Sequence, residues 1–431
     1  MKKTKSKISL FILVFLVLWT LCSCAETDKT ERPFSDYDFL SVYGNEVHNG
    51  NGEEITLKGT NAGGYLIIEQ WMTAFSNSAA TGYLDHKTVT EIFTQRFGKE
   101  KTLELWKYYR DNFWTEQDFK NCAYMGMNVI RLPFSYMSLD PDYNNVKAIE
   151  GQKFNFSILD NFIETAAKNG LYTILDLHGA YGSQNGQDHS GEQFGSVDEV
   201  NFFYNQEKQQ KTIELWKALA ERYKNNPAVA GYDLLNEPGE KCVSTTVRHW
   251  EFYDKLYKAI RDIDKKHIVI FESCWDGENL PKPADYGWND NIMYSFHNYS
   301  GTSDYEKNLI SMQNKISGVE KMNFNLPYYM GEFNCYGNEQ SWQDTLQLFN
   351  EKNWSWTSWT YKLNEKPNAY NGWGIYFTKA QPVTPDVDSY DEILEKWSKL
   401  KTIDSDTYPY TFKSGKELME VMRDACLYDG G

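Results

Sequence analysis

The sequence predicts an α/β fold, a (β/α)8 barrel of the TIM type forming one domain. Three observations carry this. Short apolar runs rich in β-branched and aromatic residues recur eight times along the chain. Amphipathic stretches with helical spacing separate most of them. No GxGxxG or P-loop glycine pattern marks the open doubly wound sheet, the competing arrangement of alternating strands and helices. A length of 431 residues suits a barrel with insertions.

The first run, EITLKGTN, covers 54–61, and NVIRLPF follows at 128–134. YTILDLH (172–178), AGYDLLN (230–236) and HIVIFES (267–273) are the next three. IMYSFHN (292–298), PYYMGEF (327–333) and WSWTSWTY (354–361) complete the set. NFSILDNFIETAAKNG (155–170) and QQKTIELWKALAERYK (209–224) show the helical period between runs.

The N-terminus reads differently. MKKTKSK (1–7) is basic, and ISLFILVFLVLWT (8–20) is apolar but too short and wrongly flanked for an ordinary membrane span. LCSC (21–24) resembles a bacterial lipobox, in which Cys24 is acylated and becomes the new N-terminus. The expected division is a lipoprotein signal peptide at 1–23, a polar tether at 24–35 and the barrel domain at 36–431. It implies a bacterial cell-envelope protein, periplasmic or surface-exposed, whose one membrane contact is the lipid anchor. Removing Lys2, Lys3, Lys5 and Lys7 takes the formal charge from −16 to −20.

Such a negative chain repels nucleic acid and anionic membrane surfaces and suits a neutral ligand. Aromatic residues make up 16%, enough both for a large aromatic core and for platforms that stack on the apolar faces of sugars. Cys122, Cys242, Cys274, Cys335 and Cys426 follow Cys22 and Cys24. An odd five beyond the leader cannot all pair internally, and no Cys/His spacing marks a metal site, so buried thiols are expected. No metal or organic cofactor is expected.

In a barrel, residues at the C-terminal ends of the strands form the working face. Here those ends carry Arg131, Asp176, His178, Asn236, Glu237, His297, Tyr299, Glu332 and Trp359. A ring of polar and aromatic endings at one level is hard to attribute to structure alone. Glu237 and Glu332 are its central pair. Glycoside hydrolysis needs one protonated carboxyl to supply a proton to the leaving oxygen and one ionised carboxylate to attack or to activate water. Glu237, ending a buried strand at a cleft floor, is expected to hold a raised pKa and act as the acid. Arg131 and Tyr299 suit orientation of Glu332, His178, His297 and Asn236 suit sugar hydroxyls, and Trp359 suits a stacking floor. The alternative for each Glu is a salt bridge on the barrel rim.

GYDLLNEP, HNY and GEFN resemble the signatures of glycoside hydrolase family 5, which holds many cellulases. GTNAGGYLIIEQWMT (59–73) and DLHGAYGSQNGQDHSG (176–191) are similar to the exo-β-1,3-glucanase branch. The resemblance implies a retaining mechanism with Glu237 as acid/base and Glu332 as nucleophile, the two carboxyls about 5–5.5 Å apart. It also places Arg131, His178, Asn236, His297, Tyr299 and Trp359 in the site, and gives Glu69 the hydroxyls of a terminal sugar. The chain departs from the branch at Gln187, where an aromatic is usual, and after Trp359, where TYK replaces KTE. Asp188 and Glu192 are the candidates for a further sugar-capping acid.

The expected function is therefore a monomeric retaining β-glucosidase or exo-β-glucanase acting on β-glucan chains or β-glucosides. An endo-β-glucanase with an open cleft is the first alternative. A non-catalytic carbohydrate-binding envelope lipoprotein is the remote one.

Overall fold

The computed structural model describes residues 34–195, 199–239, 246–273, 280–365, 372–402 and 406–428. They belong to a compact unit starting at Phe34. Cys24 and the leader, together with Cys242 and Cys274, lie outside the described residues. A hairpin of β1 (Ser41–Tyr43) and β2 (Glu46–His48) precedes the barrel. The barrel strands are β3 (Lys58–Asn61), β4 (Val129–Ser135), β5 (Tyr172–Gly179), β6 (Val229–Asp233), β7 (Ile268–Glu272), β8 (Ile292–Tyr299), β9 (Tyr328–Asn334) and β10 (Ser355–Ser358). All neighbours pair in parallel, and β10 closes on β3.

The surrounding helices follow their apolar period. In α3 (Ser157–Lys168), after α1 (His86–Phe113) and α2 (Glu116–Tyr124), the buried positions are Leu159, Phe162, Ile163 and Ala166. This spacing of three, one and three puts one face on the barrel. α4 (Gln206–Tyr223) starts where the Asn205 side chain accepts the Lys208 amide, an N-cap. The later helices are α5 (Thr246–Arg261), α6 (Pro283–Tyr286), α7 (Tyr305–Lys321), α8 (Glu339–Glu351), α9 (Tyr390–Trp397) and α10 (Leu418–Cys426).

The barrel interior is layered. Val129, Ile174, Ile270 and Met293 form an apolar cluster, to which Leu40, Val47 and Leu57 from the hairpin region also belong. Successive side chains on a strand alternate faces. Two residues further along each strand, the same face therefore carries Arg131 above Val129, Asp176 above Ile174 and Glu272 above Ile270. All three are buried. An apolar floor under a charged layer is thus written into the strands with period two.

All eight expected runs form barrel strands, with different endings. β6 stops at Asp233, so Asn236 and Glu237 stand in a turn beyond the strand rather than at its last residue. Arg131 is mid-strand in β4, and Glu332 is followed by two more residues of β9. The expected list of strands omits the hairpin and a three-stranded sheet of β11 (Lys362–Asn364), β12 (Tyr376–Thr378) and β13 (Thr407–Pro409). That sheet backs the site: Leu363 and Phe377 cluster with Met72 and Trp359. Cys122 and Cys335 are buried free thiols, as expected, while Cys426 is free and half-buried. Among the described residues no helix is long and apolar enough to cross a membrane.

Candidate active site

Arg131 is the hub of the charged layer. Its guanidinium donates to Glu332 Oε1 at 2.8 Å, Asp233 Oδ2 at 2.9 Å, Asn236 Oδ1 at 2.9 Å and Asn61 Oδ1 at 3.1 Å. It also lies 3.2 Å from Asp176 and 3.6 Å from Glu272. Burial works against its charge, but the surrounding carboxylates raise its pKa still further. Burial pushes Asp176 and Asp233 up to about 7 against the pull of Arg131.

Glu332 accepts on both oxygens. Arg131 holds Oε1, and the Tyr299 hydroxyl donates to Oε2 at 2.7 Å. Burial and the Glu332 charge raise the Tyr299 phenol well above its ordinary value, so it stays a donor. β8 and β9 pair His297 directly with Glu332, after a register shift between Phe296 and His297. His297 Nδ1 lies 2.8 Å from Glu237 Oε1 and 3.3 Å from Glu332 Oε2. A carboxylate only accepts, so Nδ1 carries the hydrogen.

One oxygen of each Glu and the His297 nitrogen all lie within 4.8 Å of one another. Such donors can in principle bind a cation. Here Arg131 and Tyr299 already occupy Glu332, and the guanidinium charge opposes a metal.

Glu237 sits at the mouth on a left-handed backbone, with φ at +40°. A non-glycine residue in that region is strained and needs its surroundings to hold it. The Glu237 amide donates to Glu272 Oε1 at 2.9 Å, and its carbonyl accepts from Asn185 Nδ2 at 3.1 Å. Gln184 Nε2 holds the Asn236 carbonyl at 2.7 Å. The long loop after β5 therefore clamps the turn that carries Glu237.

The expected raised carboxyl at Glu237 is corrected by the structure. Burial pushes the group up, but the hydrogen bond from His297 and the charges of His189 and His297 outweigh it and hold the pKa at about 2. His189 Nε2 is 3.2 Å from Glu237 Oε2. This histidine belongs to the DLHGAYGSQNGQDHSG loop, but its position off any strand end hid its role in the sequence.

His178 stacks on Trp359, with ring centres 5.3 Å apart and planes 8° from parallel. Its Nδ1 lies 2.7 Å from Asp176, and burial lowers its pKa to about 3, so the imidazole is neutral. Glu69, Trp71, His178, His189, Glu237, Tyr299, Glu332, Trp359 and Trp373 line a cavity of about 340 Å³. Arg131 and Asn236 support it from beneath. Apart from the capping candidates Asp188 and Glu192, which do not line it, every residue expected in the site lines this cavity or contacts one that does. Trp71, Trp373, Asn61, Asp233 and Glu272 were not foreseen, because loop tryptophans and buried acids look like core in a sequence.

Glu69 is buried, and its Oε2 accepts the Trp71 indole at 2.6 Å rather than forming a salt bridge. Burial, then the nearby Asp188 charge, raise its carboxyl well above the usual range. Asp188 also hydrogen-bonds Tyr83. Glu192 is held by Lys87 at 2.6 Å and does not line the cavity. On the other side of Trp373, Tyr336, Tyr410 and Phe412 line a second cleft of about 810 Å³.

The sequence model described as Cellulase (glycosyl hydrolase family 5) matches residues 87–365, more than half of the chain. A β-xylosidase from Phanerodontia chrysosporium is 28% identical over 354 residues, covering 75% of this chain and 71% of that protein. A glucan 1,3-β-glucosidase from Candida oleophila is 32% identical over 260 residues, 56% of this chain and 58% of that one. A probable glucan 1,3-β-glucosidase A from Aspergillus terreus is also 32% identical, and the chain spans 56% of its length. Among solved structures, an endogalactoceramidase aligns with a TM-score of 0.55 at 18% identity, covering 90% of this chain and 84% of its own. A rutinosidase from Aspergillus niger aligns at 0.54 and 16%, covering 78% and 94%. These two share the barrel fold. The matched segment holds Arg131, Glu237 and Glu332, and the chain belongs to glycosyl hydrolase family 5 as an O-glycosyl hydrolase.

Proposed function

We propose that this protein is a retaining β-glycoside hydrolase that cleaves β-glucosidic bonds, with Glu332 as nucleophile and Glu237 as acid/base. The observation that carries this reading is the approach of one carboxylate oxygen of Glu237 to one of Glu332 within 4.8 Å, which leaves no room for the intervening water of an inverting site. Retaining enzymes hold their carboxyls about 5–5.5 Å apart, while inverting ones leave about 6.5–9.5 Å for a water. In the first step Glu332 attacks the anomeric carbon as the glycosidic C–O bond breaks. Glu237 gives its proton to the departing oxygen. In the second step Glu237 takes a proton from water, whose oxygen displaces Glu332 and restores the β configuration. Arg131 and Tyr299 stabilise the Glu332 carboxylate as it leaves.

The proton has a route. Glu237 is held ionised by His297, whose Nδ1–H points at it from 2.8 Å. For the first step the pair takes up one proton, held between His297 Nδ1 and Glu237 Oε1, and Glu237 passes it to the leaving oxygen. Trp359, stacked against neutral His178, supplies an apolar face for the sugar. An exo-acting β-glucosidase or β-glucanase fits the small cavity and the placement of Glu69. The adjoining 810 Å³ cleft favours a second reading, in which a longer chain continues past Trp373 and cleavage is internal.

The test is turnover of an aryl β-glucoside followed by proton NMR. The β-anomer of glucose should form first, and Glu332→Gln should abolish turnover. First formation of the α-anomer would exclude retention. Product analysis on β-glucan separates monosaccharide release from a fall in chain length.

Anchoring through a lipid on Cys24 is part of the same reading, supported by the basic, apolar, LCSC order of the leader. Cys24→Ala should release the protein from membranes on fractionation. Retention of the uncleaved variant on membranes would mean that the apolar segment itself is the anchor.

A further inference from the structure

We propose that Glu272, at the end of β7, is a positioning residue that sets the acid/base apparatus from behind, through Glu237 and His297. The inference rests on the retaining reading above and adds a residue to it.

Glu272 is 1% exposed and touches both members of the proton-carrying pair. Its Oε1 accepts the backbone N–H of Glu237 at 2.9 Å. That amide belongs to the residue with φ at +40°, so the bond acts where the chain most needs restraint. The same Oε1 lies 3.4 Å from His297 Nε2, behind the imidazole whose Nδ1 faces Glu237. One carboxyl oxygen thus buttresses both the turn that aims the acid and the ring that holds it. Its carbonyl in turn accepts from the Tyr253 hydroxyl at 3.0 Å, which also reaches the Leu235 carbonyl at 3.2 Å. The end of β7 and the segment leading to Glu237 are therefore tied at two levels.

The charges facing Glu272 are Arg131, Asp233, Glu237, Glu332 and His297. Burial, then Asp233, raise its carboxyl well above the usual range despite Arg131. Ionised or protonated, the carboxyl keeps an oxygen as an acceptor, which is what the Glu237 amide requires. A glutamine has the same shape and the same acceptor. Methionine keeps the volume and loses the acceptor.

The test compares Glu272→Met and Glu272→Gln on two substrates by kcat/KM, which reports the first chemical step. Phenyl β-glucoside has a poor leaving group and depends on the acid; 2,4-dinitrophenyl β-glucoside does not. Glu272→Met should lose about a hundredfold on the phenyl substrate, in the range that general acids contribute, and less than about threefold on the dinitrophenyl one. Glu272→Gln should stay within about fivefold of wild type on both. Equal losses on the two substrates would mean general disruption of the site and would overturn the proposal. So would an unaffected Met variant, or a Gln variant as damaged as Met. If Met does not fold, Gln decides alone: selective loss on the phenyl substrate contradicts the acceptor role, and retention on both supports it. A wild-type protein that turns over neither substrate would remove the retaining β-glucosidase reading itself, and this inference with it.

Discussion

His297 and Glu237 are joined by a 2.8 Å contact from Nδ1 to Oε1, and the same nitrogen lies 3.3 Å from Glu332. One imidazole hydrogen therefore stands between the two carboxylates and lies nearer to Glu237. The arrangement lowers Glu237 against the push of burial.

Replacing that imidazole should reverse the shift. His297→Asn removes the Nδ1–H donor at 2.8 Å and leaves burial, which penalises the ionised form. The Glu237 carboxyl should then titrate at higher pH, by about one unit or more. Carbon-13 NMR of labelled glutamate carboxyls, assigned with Glu237→Gln, reads this directly. An unchanged or lower midpoint would show that His297 does not control Glu237.

Tyr299 gives the second prediction. Its hydroxyl supplies one of the donors to Glu332 at 2.7 Å. A hydrogen bond to a charged group contributes about 1.5–3 kcal/mol. Tyr299→Phe should lower kcat/KM for an aryl β-glucoside by roughly ten- to a hundredfold. Circular dichroism should show an intact fold. Full activity in the variant would assign Tyr299 to packing against Trp373, whose ring centre lies 5.4 Å away.

The barrel and the facing glutamates were legible because both follow from local rules. Short apolar runs gave the strands, and helical spacing gave the connections. Charged and aromatic residues gathered at the strand ends of a barrel mark its working face. What the sequence hid depends on distant partners. Glu272 looks like the polar end of a strand until the Glu237 amide is seen against it. His189 sits in a loop whose path no periodicity fixes, and Trp71 and Trp373 meet across 302 positions of chain, with ring centres 5.0 Å apart. The sign of the Glu237 shift was missed for the same reason. Burial is visible in a sequence, but a histidine 60 residues away is not.

The third prediction separates the small cavity from the neighbouring cleft. Tyr410 lines the 810 Å³ cleft but not the 340 Å³ cavity. An aromatic stacking contact is worth about 0.5–1.5 kcal/mol beyond area burial. If a glucan chain extends past Trp373, Tyr410→Ala should raise KM for a long β-glucan oligosaccharide by about two- to tenfold and leave an aryl β-glucoside unchanged. Equal KM values for wild type and variant on the long chain would confine the substrate to the smaller cavity and favour exo action.

Glu69 decides the other end of the same question. Its carboxyl lines the cavity with Glu237 and Glu332, and Trp71 donates to its Oε2 at 2.6 Å. Burial and Asp188 raise its pKa well above the ordinary range, which favours the neutral carboxyl, a group that both donates and accepts. A terminal sugar hydroxyl bound there would exchange hydrogen bonds with a carboxylic acid. Glu69→Ala should lower kcat/KM on short β-glucosides by roughly ten- to a hundredfold, about 1.4–2.8 kcal/mol of transition-state binding. Glu69→Gln copies the neutral shape and should lose distinctly less. Were Glu69 only a brace for Trp71, Glu69→Ala would instead loosen the Trp71–Trp373 contact and show it as altered indole fluorescence with kcat/KM little changed, while Glu69→Gln, which keeps the acceptor, would change neither. That outcome would leave the terminal sugar without its acceptor and shift the balance to internal cleavage in the open cleft.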